Sequence, residues 1–214
     1  STPGLDHLKR SVLFDKEALE ASLGARLGAR NLLVTFHPVT LELDNGIEQF
    51  NELLAALDLM DADTVLWFTR PNADPGGRAV VSALDAWATQ RSDRVRVYAS
   101  LGQLRYLSLM AQVHAVVGNS SSGLYEAPSF GVATVDIGER QRGRLAAASV
   151  LHCEAERHAI AETIHRAVTL DCSAVVNPYG DGCSARRIVD LLRNMPPAAE
   201  LLKKRFHLIE AGHV

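Results

Sequence analysis

Short apolar runs alternate along this chain with longer stretches in which apolar residues recur at helical spacing. Six runs read as strands: residues 31–36, 64–69, 95–98, 114–117, 132–136 and 149–152. They are brief, rich in β-branched residues and apolar on both faces, as strands buried inside a parallel sheet are. Between them, Ile47, Phe50, Leu53, Leu54 and Leu57 form one helical stripe, with Asp44 as its N-cap candidate. Leu104, Leu107 and Ala111 form a second, and Ile160, Ile164 and Val168 a third. Ile188, Leu191 and Leu192 form a fourth behind Ser184, a residue type suited to an N-cap.

The ends differ from the middle. Residues 1–28 hold one predicted helix, 15–23, stopped at Gly24, and no strong strand. After Pro196 and Pro197 a helical pattern returns over residues 198–206. Lys203, Lys204 and Arg205 fall in its last turn, where cations suit the helix dipole. Alternating strands and helices predict an α/β fold: a Rossmann-like three-layer α/β/α sandwich on a parallel sheet of about six strands. The expected division is a helical interdomain segment (1–28), a ligand-binding domain (29–195) and a helical tail (196–214).

Composition narrows the classes. The 214 residues carry 22 Lys+Arg against 25 Asp+Glu, a formal charge of −3, with 47% hydrophobic residues. That excludes a disordered or rod-like chain. The slightly acidic balance argues against a nucleic-acid partner, which needs a basic face. No apolar run approaches the ~18 residues of a membrane span, and STPGLDHLKR has no signal-peptide pattern. Cys153, Cys172 and Cys183 are odd in number and lack CxxC spacing, so neither a disulfide framework nor a zinc ribbon is expected. A cytoplasmic setting follows.

The strongest chemical signal is the loop from Gly118 to Glu126, GNSSSGLYE, directly after the strand HAVV. A hydroxyl-rich loop entering a helix offers backbone N–H groups and serine hydroxyls to an anion. Gly118 and Gly123 permit close backbone approach. One serine would suggest an ordinary cap; Ser120, Ser121 and Ser122 together point to phosphate. The loop is not GxSxG, GxGxxG or a Walker A sequence, so no NAD or P-loop chemistry is indicated. Glu126, expected one turn into the helix, is placed to accept ribose hydroxyls, or it is a first-turn acid favoured by the dipole. His37 follows the first strand, and Asn72 and Asp74 follow the second, at the carboxyl ends where ligands bind in open α/β sheets. Residues 138–144 carry Arg140, Arg142 and Arg144, suited to bidentate phosphate contacts or to a solvated loop. His158, Glu162 and His165 read as the polar side of a helix, and no metal is assigned. Trp67 and Trp87 read as core and surface packing.

The segments TFHPVT, RPNADPGG, GNSSSGLYEAPSFG, DIGERQRGR and NPYGDG resemble, in order and spacing, the C-terminal half of the UDP-N-acetylglucosamine 2-epimerases. The hydrolysing branch is the nearer one; the non-hydrolysing branch has a Gly-Gly-Ile-Gln-Glu pattern in the serine loop. The resemblance implies one half of a two-domain glycosyltransferase-B architecture, with the active site in the cleft between the halves. It implies that Ser120, Ser121 and Ser122 bind the diphosphate and that Glu126 binds the ribose. His37, the catalytic candidate, and Arg140 face the phosphates and sugar, with Asn72 and Arg144 nearby. The uracil lies along Tyr98 to Gly102, held largely through backbone groups, with Tyr98 and Leu101 as contacts; this chain reads YASLG where the family is closer to VPF. The implied reaction converts a UDP-2-acetamido sugar to UDP and the 2-epimeric free sugar, with no cofactor. The implied partners are the UDP-sugar, the enzyme's own N-terminal half and, in the family, a second copy of the enzyme. A glycosyltransferase of the same architecture, a non-hydrolysing epimerase and a non-catalytic nucleotide-binding module are the alternatives.

Overall fold

The computed structural model describes residues 2–38, 46–71 and 77–203. Six strands form one sheet in the order β3-β2-β1-β4-β5-β6, and every pairing is parallel. They are β1 (Arg30–Thr35), β2 (Thr64–Thr69), β3 (Val95–Tyr98), β4 (Ala115–Gly118), β5 (Ala133–Ile137) and β6 (Val150–Cys153). All six sequence-predicted strands are present, β2 and β3 without a shift. β4 starts one residue late because His114 Nδ1 accepts the Asn31 N–H, which takes the place of a ladder bond there.

Side-chain alternation along each strand builds two core layers. Leu32, Val34, Leu66 and Phe68 pack against α3 (Ile47–Leu57), α4 (Gly77–Thr89) and α7 (Arg157–Ala167). Leu33, Trp67 and Val116 point the other way, toward α2 (Lys16–Leu23) and α5 (Gly102–Met110). Trp67 is fully buried, and its indole N–H donates to Asn31 Oδ1, so the polar edge of a core aromatic is satisfied. Trp87 lies at the surface, donating to Asp58 and stacked under Arg91.

The N-terminal segment holds more than the expected helix. α1 (Asp6–Arg10) has five residues, too short for a periodic pattern to reveal. Asp15 caps α2 through the Ala18 N–H, and Leu19 and Leu23 are buried in the second core layer. The expectation that Ser184 caps α8 (Ser184–Arg193) is corrected: its hydroxyl makes no cap bond. Asp6 supplies the cap instead, accepting the Ser184 and Ala185 N–H groups at 2.9 and 2.6 Å. Those bonds hold the Asp6 carboxyl below its ordinary pKa. The α3 cap candidate Asp44 and the tail residues Lys204 and Arg205 lie outside the described residues.

Candidate functional site

The strand order reverses between β1 and β4, and such a switch point leaves a crevice at the carboxyl ends of the two strands. His37 follows β1 there, and the serine loop follows β4. Asn119 ties the two together. Its side-chain carbonyl accepts the His37 N–H at 2.7 Å, and its amide nitrogen donates to the His37 carbonyl at 2.8 Å. The Asn119 carbonyl in turn accepts from Arg140 Nη1 at 3.0 Å and Gln141 Nε2 at 2.7 Å. One fully buried asparagine therefore sets the relative positions of three loops, those after β1, β4 and β5.

Two glycines let these loops close up, though not as expected. Gly118 has φ of +133°, and a Cβ there would stand 2.0 Å from the Thr35 carbonyl oxygen. A Cβ on Gly123 would meet Thr134 Cγ2 at 2.4 Å, and Thr134 Oγ1 donates to the Gly123 carbonyl at 2.8 Å. Both glycines bring the loop against neighbouring strands, and the close approach is to protein.

Ser120 and Ser122 line a cavity of about 580 Å³ together with His37, Thr35, Tyr106 and Leu101. Ser122 Oγ lies 3.1 Å from Ser120 Oγ and 2.6 Å from the Tyr106 hydroxyl, and burial raises the Tyr106 pKa. Ser121 occupies the N-cap of α6 (Ser122–Tyr125), makes no side-chain cap bond and is not among the cavity-lining residues. α6 is a single turn, and the Gly123, Leu124 and Tyr125 N–H groups already donate to Ser120 and Ser121 carbonyls. The hydroxyls are therefore the better anion donors, and the helix end adds little.

Glu126 stands at the C-terminal end of α6, not one turn into a longer helix. Burial pushes its carboxyl up to about 7, and Oε2 is buried with no hydrogen-bond partner among the described residues. A buried acceptor left open in this way suits a hydroxyl-bearing ligand. The folded-state pKa lies above the ordinary 4.5, so the stability tied to the protonated group is full below about pH 4.5 and is lost as pH rises through about 7. Glu126→Gln is expected to leave the melting temperature near wild type at pH 5 and to raise it by at least about 2 °C at pH 8. Parallel pH dependence of the two proteins, followed by circular dichroism, would contradict this.

The remaining expected contacts divide. Leu101 lines the cavity, with Ser100, Gly102 and Gln103 beside it. Tyr98 does not; its ring stacks 6.3 Å from Trp67 and its hydroxyl donates to the Leu23 carbonyl. The Tyr98 side chain thus packs within the domain, which leaves its backbone groups for the expected contact. Arg140 reaches the serine loop through Asn119, but Arg144 lies over the Tyr125 ring and lines a second cavity. Asn72 and Asp74 lie outside the described residues. His158, Glu162 and His165 are exposed on α7 as expected. Sequence reasoning missed Thr35, Thr69 and Tyr106, which line the cavity and whose side chains face it from elements read only as core or stripe.

A family model described as UDP-N-acetylglucosamine 2-epimerase matches residues 2–193. The GDP/UDP-N,N'-diacetylbacillosamine 2-epimerase (hydrolyzing) of Campylobacter jejuni is 34% identical over 147 residues, 69% of this chain and 38% of that protein. The UDP-N,N'-diacetylbacillosamine 2-epimerase (hydrolyzing) of Legionella pneumophila is 26% identical over 202 residues, 94% of this chain and 52% of that protein. Among solved structures, the UDP-GlcNAc 2-epimerase of Neisseria meningitidis bound to UDP-GlcNAc matches with a TM-score of 0.62 at 18% identity. That match covers 90% of this chain and 52% of that one, and it shows the shared fold. The chain thus spans about half the length of these relatives, or less. With the loops after β1, β4 and β5 gathered at the switch point and the family model covering most of its residues, this chain belongs to the UDP-N-acetylglucosamine 2-epimerase family.

Proposed function

We propose that this chain is the nucleotide-binding half of a hydrolysing 2-epimerase acting on a UDP-2-acetamido sugar. The observation that carries the reading is the switch-point cavity lined by Ser120, Ser122 and His37, with Arg140 tied to the same loop through Asn119 and Glu126 holding an open buried carboxyl oxygen at the end of α6. Ser120 and Ser122 hold the diphosphate, with Ser121 at the loop's outer side, and Glu126 accepts the ribose hydroxyls. The Ser100–Gln103 edge holds the uracil through backbone groups. His37 and Arg140 face the leaving phosphates, and Asn72 and Arg144 are the remaining proposed contacts. Relatives named for hydrolysing epimerases of diacetamido sugars support the substrate class.

In the proposed reaction a base takes the C2 proton, the C2–H electrons form a C1–C2 double bond, and the C1–O bond breaks to release UDP. Water then adds at C1, and a proton returns to C2 from the opposite face. This half stabilises the negative charge that grows on the departing diphosphate, the larger electrostatic task in such an elimination. The proton transfers fall to the other half of a complete enzyme. Ile188, Leu191 and Leu192 on α8 and Met195 beyond it are each at least 45% exposed, an apolar surface that supports such a covering half. We place the enzyme in the cytoplasm, and a homodimer fits the family. Among the described residues no helix is long and apolar enough to cross a membrane.

Calorimetry with UDP tests the site. Arg140→Ala is expected to weaken UDP about 10- to 100-fold, the loss of one charge-assisted contact. Unchanged affinity in both Arg140→Ala and Glu126→Gln would remove the proposed site.

A further inference from the structure

We propose that Glu139, His152 and Glu154, at the ends of β5 and β6, form a binding site for a divalent transition cation of the Mn²⁺ or Zn²⁺ type. The proposal goes beyond the nucleotide site and does not rest on it. β5 and β6 end side by side, and the residues after them turn over a second cavity of about 440 Å³. His152 and Glu154 come from the end of β6, and Glu139 from the loop after β5. One ligand atom from each, an imidazole nitrogen and two carboxylate oxygens, can be chosen so that all three lie within 4.8 Å of one another. Donors bound to one cation at about 2.0–2.2 Å stand no more than about 4.4 Å apart. The side chains are exposed, so small rotamer changes close that gap.

The histidine is already oriented for this. Asp136, whose side chain is only 8% exposed, sits with Oδ2 3.4 Å from His152 Nδ1. The other ring nitrogen, Nε2, faces Glu139 Oε1 at 3.9 Å. A carboxylate behind one imidazole nitrogen fixes the proton there and turns the lone pair of the other nitrogen outward, the usual arrangement behind a metal-bound histidine. Here the lone pair meets a carboxylate, an arrangement that a shared cation stabilises.

Gln141 supplies a separate observation. It lines the same cavity and is 3% exposed. Its Nε2 donates to the Asn119 carbonyl, which fixes the amide orientation, and its buried Oε1 has no partner among the described residues. An unmatched carbonyl acceptor in the lining of the cavity that the two carboxylates and the imidazole also line is a further ligand of the kind such a cation takes. Mn²⁺ is the discriminating probe, because thiolates such as that of Cys183 do not favour it.

The test uses tag-free, chelator-treated protein, with Mn²⁺ followed by electron paramagnetic resonance and Zn²⁺ by calorimetry. One equivalent of Mn²⁺ is expected to bind. His152→Ala and Glu154→Gln, both at exposed positions, should weaken it at least 10-fold. Asp136→Asn should weaken it about 10- to 100-fold, through loss of the group that orients the imidazole. His158→Ala, on the outer face of α7, should leave it unchanged. Wild-type protein that binds no Mn²⁺ would overturn the proposal and leave His152 as a hydrogen-bond partner of Asp136. So would an affinity that survives Glu154→Gln and His152→Ala.

Discussion

An alanine at position 118 is expected to cost the protein more than about 4 kcal/mol, enough to lower the melting temperature by roughly 8–16 °C or to abolish folding. Gly118 has φ of +133°, a region that side chains disfavour by about 1–3 kcal/mol. The clash is worse. The new Cβ would stand 2.0 Å from the Thr35 oxygen and 2.7 Å from its carbonyl carbon. Thr35 cannot retreat, because β1 is paired with β2 on one side and β4 on the other, in register Thr35↔Thr69 and Thr35↔Gly118. Gly123→Ala makes the comparison: its Cβ meets a side chain, Thr134, which can shift at the cost of about 1–3 kcal/mol. Denaturant melts that rank the two variants in the opposite order would show that the β1–β4 approach is looser than described. The same substitution reaches the site, since Asn119 follows directly and would be displaced from His37.

How much of this was legible in the sequence varies with the distance over which each feature is decided. The six strands were readable because each is a local run of residues that fit a buried pleat, and the α2, α3 and α7 stripes were readable for the same local reason. The order of the strands was not, although it is what places His37 beside the serine loop. The Asp6 cap on α8 joins residues 178 apart, and no local pattern carries such a bond. Within the site, the serines and Glu126 stood out by type and spacing. Asn119 and Tyr106 did not, because an asparagine in a loop and a tyrosine on a helix have common local explanations. Tyr98 shows the same limit: its side chain packs on Trp67 while residues 99–103 line the cavity, and the resemblance fixes a segment without fixing which residue faces the ligand. Gly118 and Gly123 were read correctly as positions of close approach, but only the packed sheet shows that the partner is a neighbouring strand.

Residues 1–214 alone are expected to bind UDP and yet release UDP from UDP-N-acetylglucosamine at least about 10⁴-fold more slowly than a chain extended to the relatives' full length. Two losses set the figure. General-base catalysis contributes about 10²–10⁴, and fixing the sugar against its base in a closed cleft contributes further large factors. The described site supplies what a departing diphosphate needs, hydroxyls and a guanidinium, and it includes one carboxyl group with a pKa near 7, that of Glu126. That value is also one a general base would have, so the experiment separates two roles for the same residue. If Glu126 accepts ribose hydroxyls, Glu126→Gln should weaken UDP itself, because the ribose is part of UDP, and should leave the chain's negligible turnover where it was. If Glu126 were the base, the unaltered chain would turn over UDP-N-acetylglucosamine at an appreciable rate, and Glu126→Gln would abolish that rate while UDP affinity held. A coupled UDP-release assay run beside UDP calorimetry distinguishes the two. We expect the affinity to fall and the turnover to be absent throughout, because a base for the C2 proton has to reach the sugar, whereas Glu126 Oε2 is buried at the end of α6 with Tyr106 for a neighbour.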